Sequence, residues 1–535
     1  MKPGRRSGPG RARRAPGAVA AMAARRAALA LLLGLSLCAC DSLAPRYERP
    51  QFEDWRERPF AHDPGAAAGA LASAGAQEQL AAAPGPAAQG GAAAQGGAGA
   101  VPAGQSAARL DLARWWTRLG DPELEALVAE AFARNPDALA LAERVEAARA
   151  EAAVARGGRW PTIGLDLNAT RSRVELDNGN AYASITSPGA SISWQADLFG
   201  ELRSAARAAT ARFAASERQQ RALLHSLAAE VVRARADLST LERRLRLARQ
   251  VLASRSQTEE TVARRFEAGV PGVAAVDVFL ARENRLAAEA ALPALERARD
   301  ERALALERLL GRPAGSGPAA PELAELPPPP APAAGLPAAL LDGRPDLQAA
   351  ELNAIAANHQ VGVALARLYP DLTLSGQASR GINAAGGAFQ IEGWVAAATA
   401  GLSTTLFSGG ALRAASKAEQ ARARQALQEY SALVLNAFVE VESALIAERR
   451  LAEQLERVTA QAAAARAAET AARGRYERGL ESLLVLLDTQ RRRAQAEDLA
   501  AGLTGEAWSA RIDLILAVGG EWLPPAASDE PQAQP

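Results

Sequence analysis

The chain has 535 residues, a formal net charge of +1, 4 % aromatic and 23 % charged residues. That length holds several ordinary domains, and the balanced charge excludes a bulk basic footprint for nucleic acid. Lysine occurs only at Lys2 and Lys417, so a Gly-Lys-Ser/Thr phosphate loop is impossible. His62, His225 and His359 form no HExxH pair, and there is no GxSxG elbow. No catalytic residues, metal ligands or cofactor site are expected.

From the N-terminus, Arg25 and Arg26 precede Ala27 to Leu37, an apolar core too short to span a membrane. Residues 1–39 read as a lipoprotein signal peptide, with translation starting at Met1 or Met22. It ends in Leu37-Cys38-Ala39-Cys40, which resembles a bacterial lipobox with Cys40 as the lipidated residue. Both cysteines lie here, so no disulfide is expected. Asp41 follows directly, a residue that in some bacteria holds lipoproteins in the inner membrane. Residues 40–61 would be the lipid-anchored segment. Residues 62–109 are rich in Ala, Gly, Pro and Gln, carry few large apolar side chains and read as a disordered linker.

A first repeat is expected over 110–325. Asp121 and Pro122 open a helix with Leu124, Leu127, Val128, Ala131 and Phe132 on one face. Asn135 and Pro136 open the next, whose Ala138, Leu141, Val145, Ala148, Ala152 and Ala155 keep a 3,4 spacing, the seam of a coiled coil. After Pro161, Ile163, Leu165, Leu167 and Ala169 alternate with polar residues, a strand at about 162–173. Ile192, Trp194, Ala196 and Leu198 alternate likewise, a strand at about 190–199. A helix from about Glu201 to Glu267 follows, with an unbroken seam from Leu224 to Leu252; such a helix spans roughly 100 Å.

Residues 326–337 are a Pro-rich linker between repeats. The second repeat, 338–523, carries Pro345 and Pro370 at an offset of 209 from Pro136 and Pro161. Arg344 is a poor cap, so this helix start reads as locally weaker. Its seam is Leu347, Ala350, Ala354, Ala357, Val361 and Ala364. Strands are expected at about 371–380 and 394–407, then a helix from about Ala411 to Glu477. In that helix Val434, Phe438, Val441 and Leu445 are followed by Glu448 out of phase. Residues 524–535 read as a flexible tail.

The fold class is therefore mainly α with a membrane β-barrel. A strand of about ten residues crosses a bilayer when tilted. Four strands cannot close a channel-sized barrel, but three chains would supply twelve. A small soluble sheet packed on helices is the alternative.

Cys40 to Pro50 (CDSLAPRYERP), WWTRLGDPELEALV, WQADLFGELRSAA, ALERLLGRP, RPDLQAAE and AVGGEW together resemble the TolC-like outer-membrane efflux family, in its lipoprotein branch. The resemblance implies a homotrimer with a twelve-stranded outer-membrane barrel and a helical tunnel through the periplasm. It implies a passive duct serving an inner-membrane pump and a periplasmic adaptor, exporting drugs, metal ions or other small solutes. An exit duct for type I protein secretion, a periplasmic adaptor lipoprotein and an enzyme with a helical arm are the competing readings. RRFEAGV and GRYERGL share Arg, aromatic, Glu and Gly at an offset of 210. In the family these turns form the periplasmic tip, so Arg265, Phe266, Gly269, Val270, Arg475, Tyr476, Gly479 and Leu480 become adaptor contacts. Glu481 becomes a gate candidate. Plain helix ends and a solvated glutamate fit the same residues.

Overall fold

The computed structural model describes residues 43–50, 114–176, 179–315, 343–383 and 393–520. Cys40 and the signal peptide, the 62–109 and 326–337 linkers and the 524–535 tail lie outside the described residues. A 3-10 turn, Trp115–Leu119, leads into α1 (Pro122–Arg134) and α2 (Pro136–Gly157). Then come β1 (Thr162–Leu176), β2 (Gly179–Ala196), α3 (Glu201–Glu267) and α4 (Ala275–Leu309). The second half runs α5 (Pro345–Ala366), β3 (Asp371–Asn383), β4 (Gly393–Ser403), α6 (Ala411–Glu477) and α7 (Leu483–Ala517). The chain divides into two compact units: Arg149–Ala211 and Ala354–Gln425 with the chain up to Glu48, and the remaining helical segments.

In the first unit, the four strands form one antiparallel sheet in the order β1-β2-β3-β4. Paired residues share a face, so the register decides the chemistry of both faces. Ile163 pairs with Ile192, which pairs with Gly376 and onward to Ala398; Leu165 leads through Ala190 and Ala378 to Ala396. Trp194 with Leu374, and Ala196 with Leu372 and Leu402, complete an apolar face. The other face holds Asp166, Asn168, Ser191, Ser193, Gln195, Thr373, Ser375 and Gln377. Leu165 is 88 % exposed. This sheet therefore has one apolar and one polar face, as a strand wall between lipid and water requires. The row of Leu165 contains Ala378, whose repeat counterpart is Ala169, four residues on. A stagger of this kind is what closing a barrel demands.

Strand bounds differ from the sequence reading. β2 starts at Gly179 rather than near 190, ends at Ala196 rather than 199, and β4 stops at Ser403 rather than 407. Pro188 accounts for the first difference, because proline in a strand reads as a break. It is tolerated because β2 keeps its pairing to Leu167 on one side while the β2–β3 register skips Ser187 and Pro188. At the far end, Asp197 leaves the strand: its carboxylate accepts from the Leu202 and Arg203 amides at 3.2 and 2.8 Å and so holds the start of α3.

The N-terminal segment runs along α5. Asn358 Nδ2 donates to the Pro45 carbonyl at 2.6 Å, and a Cβ on Gly362 would lie 2.7 Å from that of Ala44. Only glycine permits that approach.

In the second unit, the seam of α3 (Leu224, Leu227, Val231, Ala234 and Leu238) is buried against Trp115, Trp116, Leu124, Val128, Leu306 and Ile512. Asp121 caps α1, accepting from the Glu123 and Leu124 amides at 3.0 and 3.3 Å. Asn135 caps α2 in the same way and also donates to the Leu309 carbonyl at the end of α4, 3.0 Å away. Its repeat counterpart Arg344 is no cap, yet that start is not left weak. The buried guanidinium donates to Asp346 and Glu440, both at 2.7 Å, and to the Ala517 carbonyl at 3.1 Å, the matching end of α7. Asp346 in turn accepts from the Leu347 amide at 2.9 Å. Glu448, out of phase in the α6 seam, is held by a charged hydrogen bond from Arg511 on α7.

Candidate functional site

Both long helices end in the same motif. In α3 the Gly269 amide donates to the Phe266 carbonyl and the Val270 amide to the Arg265 carbonyl, each at 3.0 Å. In α6 the Gly479 amide donates to Tyr476 and the Leu480 amide to Arg475, each at 2.9 Å. The glycines have φ of +66° and +75°. This is the crossed hydrogen-bond pattern that closes a helix through a left-handed residue. A Cβ at either glycine would meet nothing within 4 Å, so only backbone strain opposes substitution there.

Five residues, Val270 to Ala274, follow Gly269 before α4; only Leu480, Glu481 and Ser482 follow Gly479 before α7. The first turn closes with the Asp277 carboxylate accepting from the Ala274 amide at 2.8 Å. The second closes with the Ser482 hydroxyl accepting from the Val485 amide at 3.4 Å.

Val262, Ala281, Tyr476, Leu483 and Leu486 form a small core between the helix pairs. Arg265 laces them together. Its guanidinium lies 4.8 Å from the centre of the Tyr476 ring and donates to the Tyr476 and Glu477 carbonyls at 3.0 and 2.6 Å. Tyr476 is 6 % exposed, and burial raises its phenol above the ordinary range. Arg265 and Tyr476 thus spend their contacts within the chain, whereas Phe266, Val270 and Leu480 are exposed. Val276, Phe279, Leu484 and Val485, just past the turns, are also exposed. Sequence reasoning missed these four because apolar residues at a helix start read as a seam.

Glu481 does not stand alone. Arg475 Nε donates to its Oε2 at 3.2 Å, with side chains 54 % and 26 % exposed. Such an exposed pair contributes only about 0–1 kcal/mol. A cavity of about 1320 Å³ elsewhere in the helical unit is lined by both signs of charge, including Asp237, Arg244, Arg302 and Glu440. Among the described residues no group of His, Cys, Asp and Glu is placed to hold a metal.

An amphipathic four-stranded sheet and long helices that end in apolar, arginine-laced turns fit an outer-membrane channel. The chain belongs to the outer membrane efflux protein family, whose model matches residues 127–312 and 336–520. It is 32 % identical to the pyoverdine export outer membrane protein OpmQ of Pseudomonas aeruginosa, over 79 % of this chain and 90 % of that one. Outer membrane protein OprJ of the same organism is 29 % identical over 92 % and 95 %. The solved outer-membrane channel OprN is 28 % identical, with a TM-score of 0.71 over 77 % of this chain and 93 % of its own. VceC of Vibrio cholerae is 25 % identical with a TM-score of 0.71, over 77 % and 99 %. The protein is an outer-membrane efflux channel.

Proposed function

We propose that three copies close their sheets into one twelve-stranded barrel, and that this trimer is a passive exit duct for drugs, metal ions or other small solutes. It carries out no catalytic step and serves a periplasmic adaptor and an inner-membrane pump. The sheet register carries this reading. One face is apolar, the other polar, and β1 and β4 are its edges. In lipid, each unpaired backbone group at such an edge costs several kcal/mol, and pairing with a neighbouring copy removes that cost. Cys40 carries the lipid in this reading. It lies four residues before Ala44, which packs on Gly362 close to the start of β3, so an acyl chain reaches the membrane beside the sheet. Native mass spectrometry of the detergent-extracted protein tests both points. The expected species is three chains, each beginning at Cys40 and bearing acyl mass. Single chains overturn the trimer, and an unmodified N-terminus overturns the anchor.

The exposed apolar residues around Gly269 and Gly479 are the adaptor-docking surface in this reading, and the open space at both glycines makes a clean experiment. Gly479→Ala is expected to cost about 1 kcal/mol through its positive φ, leaving the trimer folded. Leu480→Asp with Leu484→Asp is expected to reduce adaptor cross-linking at least tenfold with the same trimer yield. Unchanged cross-linking would remove the docking assignment.

Three copies of Glu481 would converge on the threefold axis, with Arg475 partly offsetting each charge. Net cation selectivity is expected in planar bilayers. Glu481→Ala should weaken it and Glu481→Arg reverse it or shut the pore. Identical reversal potentials in all three proteins would mean that Glu481 is merely solvated.

A further inference from the structure

The apolar face of the sheet ends in arginines. Arg171 and Arg173 continue the odd-numbered positions of β1 that hold Ile163, Leu165 and Leu167; Arg380 continues the positions of Leu372, Leu374 and Ala378 on β3. All three arginine side chains are exposed. Arg171 and Arg380 are counterparts in the repeat, each nine residues past its strand start. At about 3.3 Å per residue and ~40° tilt, that is roughly 23 Å of height, close to the ~25 Å apolar band of outer-membrane barrels. The strand starts follow the helices directly, so these arginines stand at the opposite ends of their strands. Trp394 pairs directly with Arg380 and is exposed on the same face. An indole at that height is typical of a membrane interface.

A guanidinium on a lipid-facing strand is costly at mid-bilayer and nearly free at the interface. Both copies of the repeat place one at the interface, on the outer wall, where no solute in the lumen reaches it. We infer that Arg171, Arg173 and Arg380 form a belt that binds phosphate groups of phosphorylated glycolipid in the outer leaflet. Guanidinium forks pair phosphate oxygens with two parallel hydrogen bonds and stay charged at any physiological pH. In a trimer the repeat generates six equivalent arginines around the rim, with Arg173 adding one more per chain. This rests on the barrel proposed above.

The test uses the full-length trimer in phosphatidylcholine nanodiscs, offered either diphosphorylated lipid A or its dephosphorylated counterpart. Bound lipid is counted by native mass spectrometry. The wild type is expected to retain the phosphorylated form about tenfold better. Arg171→Gln/Arg173→Gln/Arg380→Gln should lose that preference, and the corresponding lysine variant should keep part of it. Equal retention of the two lipids by the wild type overturns the inference, as does an undiminished preference in the glutamine variant. Should that variant fail to assemble, the two lipids on the wild-type trimer decide the matter alone. The same spectra report the number of chains: monomers would count against the barrel, and a trimer without lipid preference against this belt only.

Discussion

Leu167→Arg is expected to deplete the outer membrane of assembled protein by at least tenfold, while Ser375→Arg leaves the amount near wild type. Leu167 sits on the apolar face about halfway between the strand start and the arginine rim, and is exposed to whatever surrounds the sheet. An arginine at bilayer mid-depth costs about 2–4 kcal/mol, and a trimer takes that cost three times. Ser375 lies on the polar face, in the rung of Ser193 and Thr399. A charge there meets water in the lumen, so assembly survives and ion selectivity shifts toward anions. Trimer yield in outer-membrane fractions and bilayer conductance read the two effects. If the serine variant were lost and the leucine variant assembled normally, the faces would be assigned the wrong way round.

Arg235→Ala is expected to destabilise the helical unit by about 3–5 kcal/mol, because it strands a buried carboxylate. Arg235 lies 2.7 Å from Asp121, with side chains only 6 % and 8 % exposed, and 3.1 Å from Glu123. Asp121 is also the cap of α1, so the ion pair fastens that helix end to α3. Replacing both partners, Arg235→Met with Asp121→Asn, should recover much of the loss. Asparagine still caps, and the one carboxylate that loses its partner, Glu123, is half exposed to water. Thermal midpoints of the purified protein provide the check. A single variant as stable as wild type would mean that solvent reaches the carboxylate.

Local patterns made most of the fold readable. The long helices α3 and α6 show through their seams, and α1 and α2 through Asp121-Pro122 and Asn135-Pro136, where cap and proline coincide. β1 and β3 alternate cleanly. The first half of β2 was hidden because Asn180 to Ser187 has little alternation and Pro188-Gly189 reads as a turn; its strand character comes from pairing with β1, which is non-local. β4 reads too long in the sequence because Leu406 and Phe407 continue an apolar run, yet both are exposed beyond the last paired residue. The turn glycines Gly269 and Gly479 are legible, since a left-handed helix end selects glycine. The roles of Arg265 and Tyr476 are not. Their shared offset marks both as turn residues, but that Arg265 donates to the end of the other long helix depends on contacts across more than 200 residues. Arg344 is a similar case: its partner carbonyl at Ala517 is invisible to any local rule.

The unequal turns after Gly269 and Gly479 alter what a partner can recognise. In the starts of β1 and β3 and in the turn glycines the two halves of the chain agree, so the proposed trimer would be nearly sixfold there. Val270 to Ala274 and Leu480 to Ser482 then diverge in length, and only the second carries an acid beside its leucine. In the proposed trimer the rim would therefore offer six positions of two alternating kinds. An adaptor that repeated one contact around that rim would meet quasi-equivalent rather than identical surfaces, and would have to adjust to two kinds of turn. The proposed rim would map onto itself only when turned by one whole chain, so loop length and the Glu481 charge together would set the rotational register of whatever docks there.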